Sequence, residues 1–261
     1  MPSIAPSKST TCVAKVPYLN SAPFFRQLTL GERFEFVDCT PRMLGQRAAA
    51  GEIMAGLLPL VDYFRLEDQF ERLGPFGIAV RGRARSVLLF SRRPLRQLEG
   101  STIRVTEETS TTAVLLRLLL EQRYHVLPSA YVRGQGTEDD ALLLIGDEAL
   151  QAHQRHTQYP YEVDLAFEWW LWQHLPCVFA IWAIRKDASA EDKKHLEAAL
   201  SKSLGVGTRE FDAIAHERAA DLGLPAESLK TYLSSFIYRL SRPEEEGIAR
   251  LRELVHAHHL L

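Results

Sequence analysis

Cysteine is scarce: there are three in 261 residues. Cys12, Cys39 and Cys177 are far apart and odd in number, with no CxxC, so neither a disulfide framework nor a cysteine zinc site is expected. Long apolar runs are missing too. The longest, around 175–184, is far short of the ~20 residues that span a bilayer. Residues 1–11 are expected to form a disordered tail. Its first ten, "MPSIAPSKST", lack the apolar core of a signal peptide, so a cytoplasmic location is expected. Charge of one sign is absent as well: the net charge is −2 and no long basic run occurs. Nucleic acid and membrane surfaces are therefore disfavoured as partners, and Arg81, Arg83 and Arg85 read as a short solvated loop. No Walker loop, GxGxxG after a strand, GxSxG elbow or HExxH is present, which weakens ATPase, nicotinamide oxidoreductase, common hydrolase and metalloenzyme readings.

What is present is an ordinary globular composition, 46% hydrophobic and 25% charged, long enough for one large domain or two lobes of ~100–150 residues. Apolar runs at 12–16, 33–38, 53–58, 76–80, 86–90, 102–105, 141–145 and 177–184 read as strands. Several are apolar at consecutive positions, as in "ALLLIG" and "CVFAIWAI". That pattern suits burial on both faces and a mostly parallel sheet with helices on each side. Thr40-Pro41 opens a helix that Gly51 ends, and 110–123 reads as a helix with a hydroxyl-rich first turn. After 187 only helices are expected, the last opened by the capping-box spacing of Ser241 and Glu244. The basic, Pro- and Gly-containing stretch 91–103 reads as a connector. The expected fold class is α/β with two lobes: 12–91 plus 181–261 form lobe one, 92–180 form lobe two, and a ligand cleft lies between them.

Several side chains could face that cleft. In "VPYLNSAPFF" Asn20 ends the first strand, where its amide could serve a ligand, an Asx turn or a helix cap. Ser86 begins the strand of "RARSVLLFS", either as a ligand-binding hydroxyl or as an ordinary strand start. Thr109, Ser110, Thr111 and Thr112 crowd one helix start, although capping needs only one of them; such a turn can hold a carboxylate or phosphate. Glu107 and Glu108 before it read as charges favouring the helix dipole, with a general-base role as the alternative. In "LLLIGDEAL" Gly146 would let a ligand approach the backbone, and Asp147 is either a ligand contact or an N-cap. Trp169, Trp170 and Trp172 read as packing residues. His153, His156, His256, His258 and His259 read as surface residues, and no metal site is expected.

In their order, "YLNSAP", "SVLLFS", "TSTTAVLLRLLL", "LLLIGDEAL" and "DLAFEWWLWQHLPCVFAIWAIR" resemble the chorismate dehydratase family of the futalosine route to menaquinone. The resemblance covers roughly residues 13–185. It implies a type II periplasmic-binding-protein-like fold, with an enzyme's cleft in place of a transport receptor's. It also implies that water is eliminated from chorismate to give 3-[(1-carboxyvinyl)oxy]benzoate, without metal or organic cofactor. By the same resemblance Asn20 and Ser86 face the cleft, where they are expected to be catalytic, Ser110, Thr111 and Thr112 hold a substrate carboxylate, and the substrate's own side-chain carboxylate is a candidate base; Tyr18, Gly146 and Asp147 are further expected substrate contacts. The chain departs from the family pattern at Met54, at Thr112-Ala113 and at "QHLPC", residues 173–177. Alternative readings are the sister enzyme that releases 1,4-dihydroxy-6-naphthoate, a non-catalytic solute-binding protein of the same fold, and a ligand-sensing domain.

Overall fold

The computed structural model describes residues 11–134, 139–154 and 159–261. Of the tail expected over 1–11, only Thr11 is described, and it already belongs to a strand; residues 1–10 and His156 lie outside the described residues.

The strands are β1 (Thr11–Lys15), β2 (Phe34–Asp38), β3 (Ala55–Pro59), β4 (Phe70–Val80), β5 (Val87–Ser91), β6 (Thr102–Val105), β7 (Ala130–Arg133), β8 (Ala141–Ile145), β9 (Tyr161–Asp164), β10 (Cys177–Arg185) and β11 (Phe236–Arg239). The α-helices are α1 (Ala22–Phe25), α2 (Pro41–Ala49), α3 (Leu60–Arg65), α4 (Thr111–Arg117), α5 (Gly146–Gln154), α6 (Leu165–Gln173), α7 (Ala190–Gly207), α8 (Phe211–Leu222), α9 (Ala226–Ser234) and α10 (Arg242–Ala257).

Two sheets result. One runs β11-β4-β10-β3-β1-β2 and the other β7-β6-β8-β5-β9. Both are mixed, against the expectation of a mostly parallel sheet. β1 pairs in parallel with β2 and β3, and β6 with β7 and β8, while β10, β11 and β5 pair antiparallel with their neighbours. A continuous apolar run reports burial on both faces and carries no information on direction.

Two stretches change sheets relative to the sequence reading. β5, assigned to lobe one, lies in the second sheet between β8 and β9. Residues 177–180, assigned to lobe two, belong to β10 in the first sheet, beside β3 and β4. The crossing is therefore at 81–86, and 91–103 is not a connector between lobes: it runs from the end of β5 into the start of β6, both strands of the second sheet.

Helix starts follow local chemistry. The Thr40 hydroxyl accepts the Met43 N–H with Pro41 behind it, Ser189 accepts the Asp192 N–H at 3.0 Å, and Ser241 and Glu244 form the reciprocal capping box. The expected helix over 110–123 is α-helical through Arg117 and π-helical over Leu118–Arg123. In the first sheet's core, buried Phe24 meets Phe76, Trp182 and Tyr238 edge-on with ring centroids 6.3, 5.9 and 5.7 Å away, a geometry that adds about 0.5–1.5 kcal/mol per pair beyond area burial. This packing anchors α1 and hence the turn before it.

Candidate active site

After β1 the chain stays extended through Tyr18, turns over Leu19–Ser21 in a single 3₁₀ turn and enters α1, with Pro23 in its first turn. The side chain that stabilises this turn is Ser21, whose hydroxyl contacts the carbonyl oxygens of Val16 and Tyr18. The Asx-turn and capping roles considered for Asn20 are thus not used. Its amide forms no hydrogen bond among the described residues and lines a cavity between the two sheets.

Ser86 reaches the same cavity from the crossing segment. Arg85 adopts a left-handed conformation, φ 62°, uncommon for a residue with a Cβ. Its N–H donates to Asp164 at 2.7 Å. Asp164 also caps α6 through the Ala166 and Phe167 N–H groups. Burial pushes the Asp164 carboxyl above its ordinary range, and the four backbone N–H bonds to it, from Arg85, Phe167, Ala84 and Ala166, act against that. The bend at Arg85 directs Ser86, which is fully buried, towards the cavity.

The hydroxyl-rich turn divides its work. Ser110 stands at the N-cap of α4 without a side-chain cap bond, and it is Thr109, one residue before, that accepts the Thr112 N–H at 3.2 Å. Thr111 accepts the Val61 N–H at 3.2 Å from α3, joining the second sheet's helix to the first sheet's. Among the described residues the Thr112 hydroxyl has no hydrogen bond. All four residues, Thr109 to Thr112, line the cavity.

Gly146 lines it too, with φ +61°, but its role differs from the one expected. A Cβ there would come within 2.8 Å of the Tyr18 ring, so glycine makes room for a tyrosine rather than for a ligand. The Tyr18 phenol in turn donates to Glu108. Burial, then this contact and the nearby carboxylates, hold its pKa far above the ordinary tyrosine value, so it stays a neutral phenol.

Asp147 is the one expected substrate contact that does not line the cavity. Its carboxylate accepts the Leu19 N–H at 2.8 Å and pairs with Arg218 at 2.8 Å. Burial raises its pKa; the Leu19 and Arg218 bonds act against that. Glu107 pairs with Arg42 at 2.8 Å, and the Arg42 N–H donates to the Glu108 carbonyl at 2.9 Å. These bonds tie the two halves of the chain together around the cavity.

The cavity opens to solvent, and Val16, Leu57, Ile78, Val87, Ile145 and Phe179 form its apolar walls. Among the described residues, none that lines it is Asp, Glu, His, Lys or Arg. It can hold a flat ring against apolar walls and bind oxygens through an amide and several hydroxyls. Among the described residues no cluster of His, Cys, Asp or Glu is placed to hold a metal ion. Of the expected residues, Tyr18, Asn20, Ser86, Ser110, Thr111, Thr112 and Gly146 converge here. The apolar walls from β3, β4 and β10 were not read as site residues, since a cavity-facing aliphatic looks like any core residue in sequence.

A family model described as menaquinone biosynthesis matches residues 11–257. The chain belongs to that family. It is 31% identical over 255 residues to chorismate dehydratase from Thermus thermophilus, covering 90% of this chain and 92% of that protein. Protein AF1704 from Archaeoglobus fulgidus superposes with a TM-score of 0.80 at 20% identity, covering 98% of this chain and all of that one. The periplasmic aliphatic sulphonate binding protein SsuA from Escherichia coli follows with 0.62 at 14% identity, covering 98% and 89%. At these identities the two structures show the fold alone, a two-lobed periplasmic-binding-protein-like architecture. No helix among the described residues is long and apolar enough to cross a membrane.

Proposed function

We propose that this protein is a chorismate dehydratase, a carbon–oxygen lyase that removes water from chorismate to give 3-[(1-carboxyvinyl)oxy]benzoate. The observation that carries the reading is the convergence of the unengaged Asn20 amide and the Ser86 hydroxyl on a cavity whose lining, among the described residues, holds no charged side chain, in a member of the menaquinone biosynthesis family. The Thermus thermophilus relative of that name supports the same substrate.

In this reading the ring lies between the apolar walls. The free Thr112 hydroxyl binds a substrate carboxylate at the start of α4, where unpaired backbone N–H groups also favour negative charge. Asn20 and Ser86 donate to the ring hydroxyl as its C–O bond breaks, stabilising the charge that develops on oxygen. The ring C–H breaks in the same conversion, its electron pair completes the aromatic ring, and proton and hydroxide leave together as water. Among the described residues the lining offers no base: Tyr18 is held neutral, and Glu107, Glu108 and Asp147 are engaged elsewhere. The substrate's own side-chain carboxylate therefore takes the proton, positioned by binding alone.

The test is a comparison of single-turnover rates. Asn20→Ala and Ser86→Ala should each lower turnover by ~10- to 1000-fold, the range for losing one preorganised donor. A chorismate analogue with its side-chain carboxylate converted to an amide should bind yet react poorly with the unaltered protein. Full activity in both variants would remove these residues from the mechanism, and a normal rate with the amide would exclude substrate-assisted proton removal.

A further inference from the structure

Tyr232 lies on α9, 146 residues from Ser86 in the chain, and its hydroxyl is 2.8 Å from the Ser86 Oγ. Both residues are removed from water, with 1% and 0% exposure. The tyrosine ring is held edge-on to Phe236, with centroids 5.0 Å apart, so the phenol has little freedom to turn. We propose that Tyr232 is a positioning residue that fixes the Ser86 hydroxyl as a donor into the cavity; the proposal rests on the dehydratase reading above.

The argument is one of hydrogen-bond accounting. A buried phenol O–H left without an acceptor costs about 1–3 kcal/mol, and Ser86 Oγ is the only acceptor the Tyr232 hydroxyl has among the described residues. Burial also keeps the phenol protonated, well above its ordinary range. Tyr232 therefore donates and Ser86 accepts, which leaves the serine proton uncommitted to this bond. Its other contact, the Ala84 carbonyl, is at 3.5 Å, too long to compete with a good acceptor. The Ser86 carbonyl is held separately by the Gly146 N–H at 2.9 Å, which fixes the backbone under the side chain. With one lone pair taken by the phenol, the serine O–H points to the remaining space, the cavity, and is polarised towards a stronger donor. Nothing in the sequence around Tyr232 announces this, because "LKTYLSS" reads as an amphipathic helix with a core tyrosine.

The test is a double-mutant cycle with chorismate on the full chain. Tyr232→Phe should lower kcat about 10-fold with KM nearly unchanged, since the bond matters most when the departing hydroxyl gains charge. In the Ser86→Ala background the same change should cost almost nothing, because its target is gone. A purely structural tyrosine would instead produce the same loss in both backgrounds, and that result overturns the proposal, as does a Tyr232→Phe protein with unaltered kcat. If Tyr232→Phe fails to fold, 3-fluorotyrosine at position 232 keeps the bond with a more acidic donor. It should then change kcat in the parent protein and leave Ser86→Ala unaffected; an unchanged kcat overturns the proposal. An inactive parent protein overturns the dehydratase reading and this proposal with it, whereas an active parent with additive losses overturns the proposal alone.

Discussion

Asp147 and Leu19, 128 residues apart in the chain, are joined by a 2.8 Å bond from the Leu19 N–H to the Asp147 carboxylate, whose other oxygen holds Arg218 at 2.8 Å. One side chain at the start of α5 thus fixes the turn that presents Asn20 and ties it to α8. The residue shapes the site from behind, with no need to touch a ligand.

Asp147→Ala should therefore act through structure. It strands the Leu19 N–H and removes the nearer of the two carboxylates that hold Arg218, and a loss of ~1–3 kcal/mol of unfolding free energy is expected. KM should rise as the Asn20 turn loosens. Urea unfolding and steady-state kinetics on the same preparation check both, and unchanged stability would show that the bond is not needed.

Gly146→Ala places a Cβ within 2.8 Å of the Tyr18 ring and requires φ +61° of a residue that disfavours it. A cost of ~1–3 kcal/mol is expected, together with loss of activity as Tyr18 is pushed from its contact with Glu108. Retained activity with full stability would mean that the ring is free to move without consequence.

The hydroxyl residues should separate by role. Thr109→Val removes the acceptor of the Thr112 N–H and should cost ~1 kcal/mol of stability with little effect on affinity. Thr111→Val loses the bond from Val61 and should affect stability and affinity together. Thr112→Val should leave stability intact and weaken chorismate binding by ~1–3 kcal/mol, the scale of a hydrogen bond to charge. Calorimetric titration beside thermal unfolding distinguishes the three, and equal effects in all would deny the division.

Asp62 gives a pH prediction. Burial pushes its carboxyl above the ordinary 3.8, with the Ser110 hydroxyl and the Arg65 charge, the latter at 2.8 Å, acting against it. A raised folded-state pKa contributes stability that is fully present below 3.8 and is lost as pH rises through the folded value. Asp62→Asn removes this dependence. The melting temperature of the variant, relative to the parent, should therefore be more favourable at pH 7 than at pH 4. The opposite trend would mean that the carboxylate is favoured in the fold.

Much of this arrangement was legible in the chain. "LLLIGDEAL" reads as a buried strand entering a helix at Gly146, which β8 and α5 match. "CVFAIWAIR" reads as the returning strand, and β10 is that strand. The turn residues Asn20 and Ser86, and the hydroxyls at 110–112, read as cleft-facing candidates because polar groups beside buried strands need a partner or a ligand. Other features left no local trace. β4 is longer than expected because Glu71, Arg72, Gly74 and Pro75 break its apolar pattern. β11 has four residues, too few to show alternation within a helical region. Tyr18 against Gly146, Glu108 beneath Tyr18, and Tyr232 beneath Ser86 are contacts between distant segments, set by topology rather than by spacing.

The most direct measurement is incubation of the purified protein with chorismate, following ultraviolet absorbance and identifying the product by mass spectrometry. Elimination in the cleft predicts that chorismate is consumed with the loss of one water and that 3-[(1-carboxyvinyl)oxy]benzoate accumulates without added metal or cofactor. Chorismate that binds but is recovered unchanged would contradict it, and would identify the cleft as a receptor site rather than a catalytic one.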